Sequence, residues 1–470
     1  MTPLHHPGEP KSNDLRDGVV QFEPRSLRTF TPTQAVLSKS AGVYHWTPEG
    51  KRLYDYSSGV LVANLGHNPR SWMQRFHTYM GWPGGAANGA HGDYVTAPPL
   101  TAYNAVTPLE IEASRRLVEL LQSRPGGRRL EKVMWAASGS EAIQKALWMA
   151  LARDRNRDMI LATRFGFHGK KGLANAVTGS EADRDRDPRV RFVSFPMAEC
   201  ADVTLRGRPF DPAPYRKELD ALHAQFGGKI TALITEPYLG GGGSYHPPLP
   251  YLQCLQSFCR QHDLVFVLDE VQANFGRTRE LFAFEAYGLE PDVVVLGKGL
   301  GNGVPVSAAV GRKDLLEALD YGEGSDTWSG NPLGCAGVLA TLDEFAARDV
   351  LSHSRHVSAQ IEKGLLRLKE VPFVANVRGE EGGMVWGVET RDHAGRSAAE
   401  WANAAVLACY QGDGEGGDGV HLLGPLAKKV IRISPPLVIT EAEVRDSLDL
   451  VHRCLRRLTA PRSAGLVPAG

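Results

Sequence analysis

Six short, almost wholly apolar runs spaced through the middle of the chain constrain its fold more than any other feature. They are Val133–Ala137, Met159–Ala162, Val190–Val193, Ile230–Ile234, Leu264–Leu268 and Val293–Leu296. Runs this short, bounded by charges and turn formers, suit strands buried on both faces. Between the first two, apolar residues fall at 143, 146, 147, 150 and 151, the spacing of one helix face. Strand and helix in alternation predict an α/β domain around a mainly parallel sheet.

The flanks read differently. Residues 1–30 are polar and Pro-rich, which predicts a flexible, partly disordered segment. Gly42–Trp46 and Arg52–Tyr56 read as short strands around a turn at Pro48–Gly50, and the Gly-rich stretch Pro83–Gly89 reads as a loop. From residue 335 the pattern is helical. Short strands follow near Met384–Val388 and Val430–Ile433, then a last helix from Glu441, together a separate α+β domain.

Charge and cysteine usage remove several functional classes. Lys+Arg and Asp+Glu are 53 each, so the zero balance gives no electrostatic footprint for nucleic acid or an anionic membrane. No stretch approaches the ~18 apolar residues of a membrane helix, and the first ten residues lack the apolar core of a secretory signal. The six cysteines include no CxxC pair, which argues against a disulfide framework or a Cys-rich zinc site and fits a reducing compartment. A cytoplasmic protein is expected. His67 and His168 lie in motif loops and read as hydrogen-bonded structural residues. No histidine has metal-ligand spacing, so no metal site is expected.

Three segments carry chemistry. In Leu264–Gln272 two acids end a very apolar strand, and open α/β sheets bind ligands at the carboxyl ends of their strands. Asp269 is thereby placed to meet a ligand; alternatively its carboxylate caps the next helix. Lys298 follows another apolar strand with glycines on both sides. A lysine in a dry pocket loses its charge and becomes an amine nucleophile, whereas one in a solvated loop does nothing. Trp135–Ile143 reads as strand, small-residue turn and helix, so the N–H groups of Gly139 and Ser140 could hold a phosphate, or Ser138 could be an ordinary cap ahead of Glu141. An acid, a lysine and a helix N-terminus are the parts that hold pyridoxal 5'-phosphate: carboxylate for the ring nitrogen, amine for the aldehyde, N–H groups for the phosphate.

With these motifs the chain resembles the class III (ornithine/4-aminobutyrate type) aminotransferases, fold type I pyridoxal-phosphate enzymes, from about residue 40 to about 455. Asp55–Gly59 and Gly66–Pro69 resemble the family's substrate-side motif. Ser138–Ala142 is similar to its phosphate-binding turn, and Gly166–Gly169 to its aromatic-His-Gly motif. The resemblance implies that Phe167 stacks on the cofactor ring beside His168, that Asp269 binds the ring nitrogen, that Val271 packs on the opposite face and that Gln272 contacts the ring hydroxyl. It further implies Lys298 as the Schiff-base lysine, Glu236 as a cofactor-site residue, Thr327 as a contact to the phosphate of a neighbouring subunit, and Arg432 as the grip on a substrate carboxylate. A homodimer follows from Thr327. The implied organisation is a large cofactor-binding domain at 96–334 and a smaller α+β domain from 31–95 and 335–470.

Two positions depart from the family pattern. Gly241 stands where many 2-oxoglutarate-using members carry a glutamate that gates the carboxylate arginine, so Gly241→Glu is expected to restore a gate. Lys170 stands where members that bind a second carboxylate often have arginine, and lysine lacks the bidentate fork. Both leave pyruvate-type acceptors open. The expected activity is transfer of an amino group between an amine or amino acid and a 2-oxo acid. An epimerase, aminomutase or decarboxylase would use the same cofactor residues. A nucleotide-dependent oxidoreductase would need a GxGxxG between a first strand and helix, and Gly297–Gly303 has the wrong spacing. A catalytically dead binding protein would be expected to lack Lys298 or Asp269.

Overall fold

The computed structural model describes residues 4–82, 90–91, 94–184, 186–414 and 417–460. The expected loop at Pro83–Gly89 lies outside them. The strands are β1 (Lys39–Ala41), β2 (Tyr44–Trp46), β3 (Arg52–Asp55), β4 (Ala90–His91), β5 (Tyr94–Val95), β6 (Lys132–Ala136), β7 (Met159–Thr163), β8 (Val190–Val193), β9 (Ile230–Thr235), β10 (Val265–Asp269), β11 (Val293–Leu296), β12 (Ser307–Gly311), β13 (Val374–Arg378), β14 (Trp386–Thr390), β15 (Gly419–His421) and β16 (Val430–Ile433).

The six apolar runs become six strands of one sheet, in the order β6-β12-β11-β10-β9-β7-β8. Alternate residues enter two separate cores. Leu161, Leu233, Leu268 and Val294 pack on one face, and Ile160, Ala232, Val267 and Val293 on the other. Burial on both faces is why the runs lack a polar alternation. The seventh strand, β12, is antiparallel to both β11 and β6. Its Ser-Ala-Ala-Val-Gly sequence carries little apolar signal, and the helix Gly139–Arg153 packs against it.

A third core gathers residues from both ends of the chain, among them Val43, Tyr54, Trp72, Trp386, Val420 and Leu455. Around it lie a four-stranded sheet, β1-β2-β3-β15, and a three-stranded sheet, β13-β14-β16. Position 335 falls inside a continuous helix, Pro332–Ala347. Val338 and Leu339 of that helix join the core of the large sheet, while Ala340 joins the third core. No linker separates the two bodies at this point.

The N-terminal expectation is corrected. Pro10–Phe22 is a helix, begun by a proline in its first turn. It is docked through its polar side chains. Arg16 is buried, donates to Glu9 Oε2 at 2.7 Å and to Gln34 O at 3.0 Å, and reaches Tyr410 Oη at 3.3 Å. Ser12 donates to Glu49 at 2.6 Å. A polar composition reads as loose chain, but here the polar groups are the anchors. Among the described residues no helix is long and apolar enough to cross a membrane.

Candidate active site

Because β6, β7, β9, β10 and β11 run parallel, their carboxyl ends share one edge of the sheet. The residues just beyond those ends line a cavity of about 380 Å³: Ser138–Ser140, Phe167 and His168, Glu236, Asp269, and Lys298. Val271 and Gln272 line it too. The antiparallel β12 closes the edge from the other direction with Val304–Ser307, and Val62 contributes from the N-terminal body. Sequence reasoning missed these last groups because none bears an ionisable side chain.

Lys298 is held in the left-handed region, φ 48°, a cost that ordinary loops avoid and active sites accept. Its amine makes no hydrogen bond among the described residues. Burial, reinforced by the positive charge of Arg432, pushes it down to about 8, against the opposing pull of Asp269 and Glu236. The amine is therefore mostly neutral above about pH 8, and about a tenth of it is neutral at pH 7, far more than for a lysine at its ordinary value.

Of the two acids after β10, Asp269 faces the cavity and Glu270 does not. Glu270 is fully buried and accepts the N–H groups of Ala283 and Phe284 at 2.6 and 2.7 Å. Helix capping thus falls to Glu270, which burial pushes up to about 8. Asp269 Oδ1 accepts from the Val271 N–H at 3.0 Å. Its Oδ2 lies 2.7 Å from His168 Nδ1. A carboxylate accepts only, so His168 donates there. His168 Nε2 is buried without a partner among the described residues. His168 thus orients the acid.

Ser138 caps the helix Gly139–Arg153 in a reciprocal box with Glu141. Ser138, Gly139 and Ser140, at the start of that helix, line the cavity. A Cβ on Gly139 would lie 3.1 Å from Val271 Cγ1, so the glycine lets the helix start approach Val271. Glu236 accepts from the N–H groups of Phe167 at 2.9 Å and Gly240 at 3.2 Å. It pins the backbone that carries Phe167, and burial pushes its carboxyl up to about 7.

Arg432, on β16, is buried and does not line the cavity. Its Nη1 donates to Gln272 Oε1 at 3.3 Å, and its Nε has no partner among the described residues. Among the described residues it forms no salt bridge. Burial pushes it down to about 10. Gln272 therefore stands between Arg432 and the cavity. Thr327 is exposed and lies outside the cavity wall, and so does Lys170. A residue that sequence reasoning missed governs the Thr327 loop. Buried Lys145 donates to Trp135 O and Ser329 Oγ at 2.6 Å and pairs with Asp326 at 2.7 Å. A lysine among the apolar residues of that helix was its signal.

These residues fit pyridoxal phosphate. One cavity offers an unpaired amine, an oriented carboxylate and the N–H groups of a helix start, beside Phe167. The aminotransferase class-III family model matches residues 97–455. The chain belongs to the class-III aminotransferases. It is a pyridoxal-phosphate-dependent transferase. The chain is 26% identical over 430 residues to the acetylornithine aminotransferase of Oceanobacillus iheyensis, covering 89% of this chain and 92% of that one. It is 27% identical over 429 residues to ornithine aminotransferase 2 of Staphylococcus aureus, covering 90% and 94%. Among solved structures, an (S)-enantioselective omega-transaminase from Thermomicrobium roseum superposes with a TM-score of 0.77 at 26% identity, covering 95% of each chain.

The aminotransferase's Gly241 revises one expectation. A Cβ at this position would lie 2.9 Å from Phe167 Cβ, at the root of that side chain. A glutamate here displaces Phe167 before it can reach Arg432. Gly241→Glu is therefore expected to lower kcat/KM for simple amines and α-amino acids by a similar factor, about 10²-fold for a misplacement of about 1 Å. A changed ratio between the two donor classes, measured in parallel assays, would restore the gate.

Proposed function

We propose that this aminotransferase transfers the amino group of an amine or amino acid to a 2-oxo acid, with Lys298 as the catalytic lysine and Asp269 as the partner of the ring nitrogen. The observation that carries the reading is the half-buried Lys298 amine, without a hydrogen bond among the described residues, sharing one cavity with an acid whose Oδ2 is held by a histidine. Bound pyridoxal phosphate supplies a carbonyl for amines and a ring that accepts the electron pair left when a substrate Cα–H is broken. Lys298, neutral, takes that proton at Nζ and returns it on the other side of the transfer. Asp269 would meet the ring nitrogen and hold its proton there. Gly139 and Ser140, through their N–H groups, and Ser138 would hold the phosphate. Phe167 and Val271, which line the cavity with Gln272, would hold the ring. His168 and Glu236 are positioning residues, acting through Asp269 and through the Phe167 backbone.

Arg432 binds a substrate carboxylate once Gln272 moves aside. A bidentate guanidinium suits that group. The purified enzyme, given an amine donor with pyruvate or 2-oxoglutarate, is expected to form the matching amino acid and carbonyl product. Racemisation or CO₂ release without amino transfer would favour an epimerase or decarboxylase.

The active form proposed is a homodimer, because Thr327 is exposed in its own chain and the Lys145–Asp326–Ser329 contacts fix its loop. Sedimentation at assay concentration is expected to give twice the chain mass, and Thr327→Ala is expected to weaken cofactor retention about tenfold, one lost hydrogen bond to a charged group. A fully active monomer rules the dimer out. The six free cysteines accord with a cytoplasmic setting.

A further inference from the structure

A second cluster of donor groups lies in the N-terminal body, away from the cofactor cavity. Asp55 on β3 pairs in register with His421 on the parallel strand β15. His45 on β2 pairs with Leu53, two residues before Asp55. Registered partners and residues two apart share a sheet face, so His45, Asp55 and His421 converge from three strands. One donor atom from each lies within 4.8 Å of the others. None of the three lines the cofactor cavity.

The hydrogen bonds around this cluster are incomplete in a particular way. Asp55 Oδ1 already accepts from the Ser57 N–H and hydroxyl, both at 2.7 Å. Its Oδ2 lies 2.7 Å from His67 Nε2. His45 Nε2 is 3.4 Å from Oδ2, beyond hydrogen-bond range, and it and His421 Nδ1 are buried without a hydrogen-bond partner among the described residues. Two orphaned imidazole nitrogens beside one carboxylate oxygen are costly as they stand.

We propose that His45 Nε2, Asp55 Oδ2 and His421 Nδ1 bind one divalent transition-metal ion, with Zn²⁺ the best match to two imidazoles and a carboxylate. In a tetrahedral zinc site with bonds of 2.0–2.1 Å, neighbouring donor atoms are about 3.3 Å apart, close to the 3.4 Å between His45 and Asp55. A rotation of His421 brings in the third of four ligands, and water takes the fourth place. The outer contacts suit this use. Ser40 Oγ lies 2.7 Å from His45 Nδ1, and a serine hydroxyl can accept from that nitrogen in the tautomer that leaves Nε2 with its lone pair for an ion. Ser57 and His67 fix the carboxylate. An ion can enter from the cavity of about 830 Å³ beneath the helix Pro10–Phe22, whose wall includes His421 and Arg16. The ion would clasp the N-terminal ribbon to β15, which comes from the far end of the sequence. Separations of about ten residues between His45 and Asp55 and of several hundred to His421 have no motif spacing, which is why the sequence reading expected no metal.

The test uses tag-free holoenzyme, stripped with chelator and freed of it. Titration with Zn²⁺ in a calorimeter is expected to give one site per chain with micromolar or tighter affinity, and a rise in Tm by mass action. Crystals soaked in Zn²⁺ are expected to show an anomalous peak between His45, Asp55 and His421. His421→Gln and His45→Gln are each expected to weaken the calorimetric site at least about tenfold. The proposal is overturned if wild-type enzyme binds no Zn²⁺ below about 100 µM, if His421→Gln binds with unchanged affinity, or if the anomalous peak lies elsewhere. The crystal readout needs no variant, so a poorly folding substitution does not blunt the test.

Discussion

Lys298→Ala is expected to give a folded protein whose amino-transfer rate is about 10⁴-fold below wild type, the upper end of what a positioned acid–base group supplies. The fold should survive because the amine makes no hydrogen bond among the described residues, so its loss orphans no partner. Far-UV circular dichroism and Tm of the cofactor-free protein check this, with stopped-flow turnover as the functional measure. A related result concerns pH. An amine pushed down to about 8 by burial and by Arg432 is neutral above that pH and protonated below it. Uptake of pyridoxal phosphate by the cofactor-free wild type, which needs the neutral amine, should therefore speed up as pH rises through about 8. Lys298→Ala should show no such inflection. Near wild-type turnover in the variant would remove Lys298 from the mechanism.

Asp269→Asn is expected to lower kcat by about 10²–10³-fold, the cost of losing one preorganised electrostatic group at the reacting centre. The substitution keeps shape. An amide oxygen can still accept from the Val271 N–H, replacing the 3.0 Å bond to Oδ1. The other end is different. If the amide NH₂ faces His168, that histidine must supply a lone pair at Nδ1 and change tautomer, since Nδ1 lies only 2.7 Å away. The variant therefore loses the charge and disturbs the residue that holds it. His168→Phe separates the two effects. It keeps the carboxylate but frees its orientation, so it should cost less in kcat than Asp269→Asn. Unchanged kcat in Asp269→Asn, with unchanged cofactor affinity, would contradict the role of the acid.

Much of the large domain was legible in the sequence because its cause is local. A strand buried on both faces needs apolar residues at every position, and the six runs show that demand directly. Asp269 and Lys298 were legible for a related reason. A charged residue at the end of such a run sits where the sheet stops, and parallel strands all stop on one edge. β12 was not legible, because a helix packs against it and its residues are small, so its partners were needed to recognise it. The N-terminal helix was misread because Arg16 and Ser12 look solvated until Glu9, Gln34 and Glu49 are brought around them.

The division of labour between the paired acids and among the histidines came only from tertiary structure. Asp269 and Glu270 are adjacent and chemically alike. Which one faces the cavity depends on the helix start at Ala283, whose N–H groups claim Glu270. His168 meets Asp269 across 101 positions of sequence. Gly241 was visible as a departure, but its contact with Phe167 was not. By itself the sequence determined an α/β sheet with a lysine and an acid at strand ends, because burial and backbone geometry act over a few residues. The tertiary structure alone decided which side chains support that pair, where Arg432 stands, and how His45, Asp55 and His421 come together. Those contacts join residues far apart in the chain, and only the pairing of strands and packing of helices brings them within bonding distance.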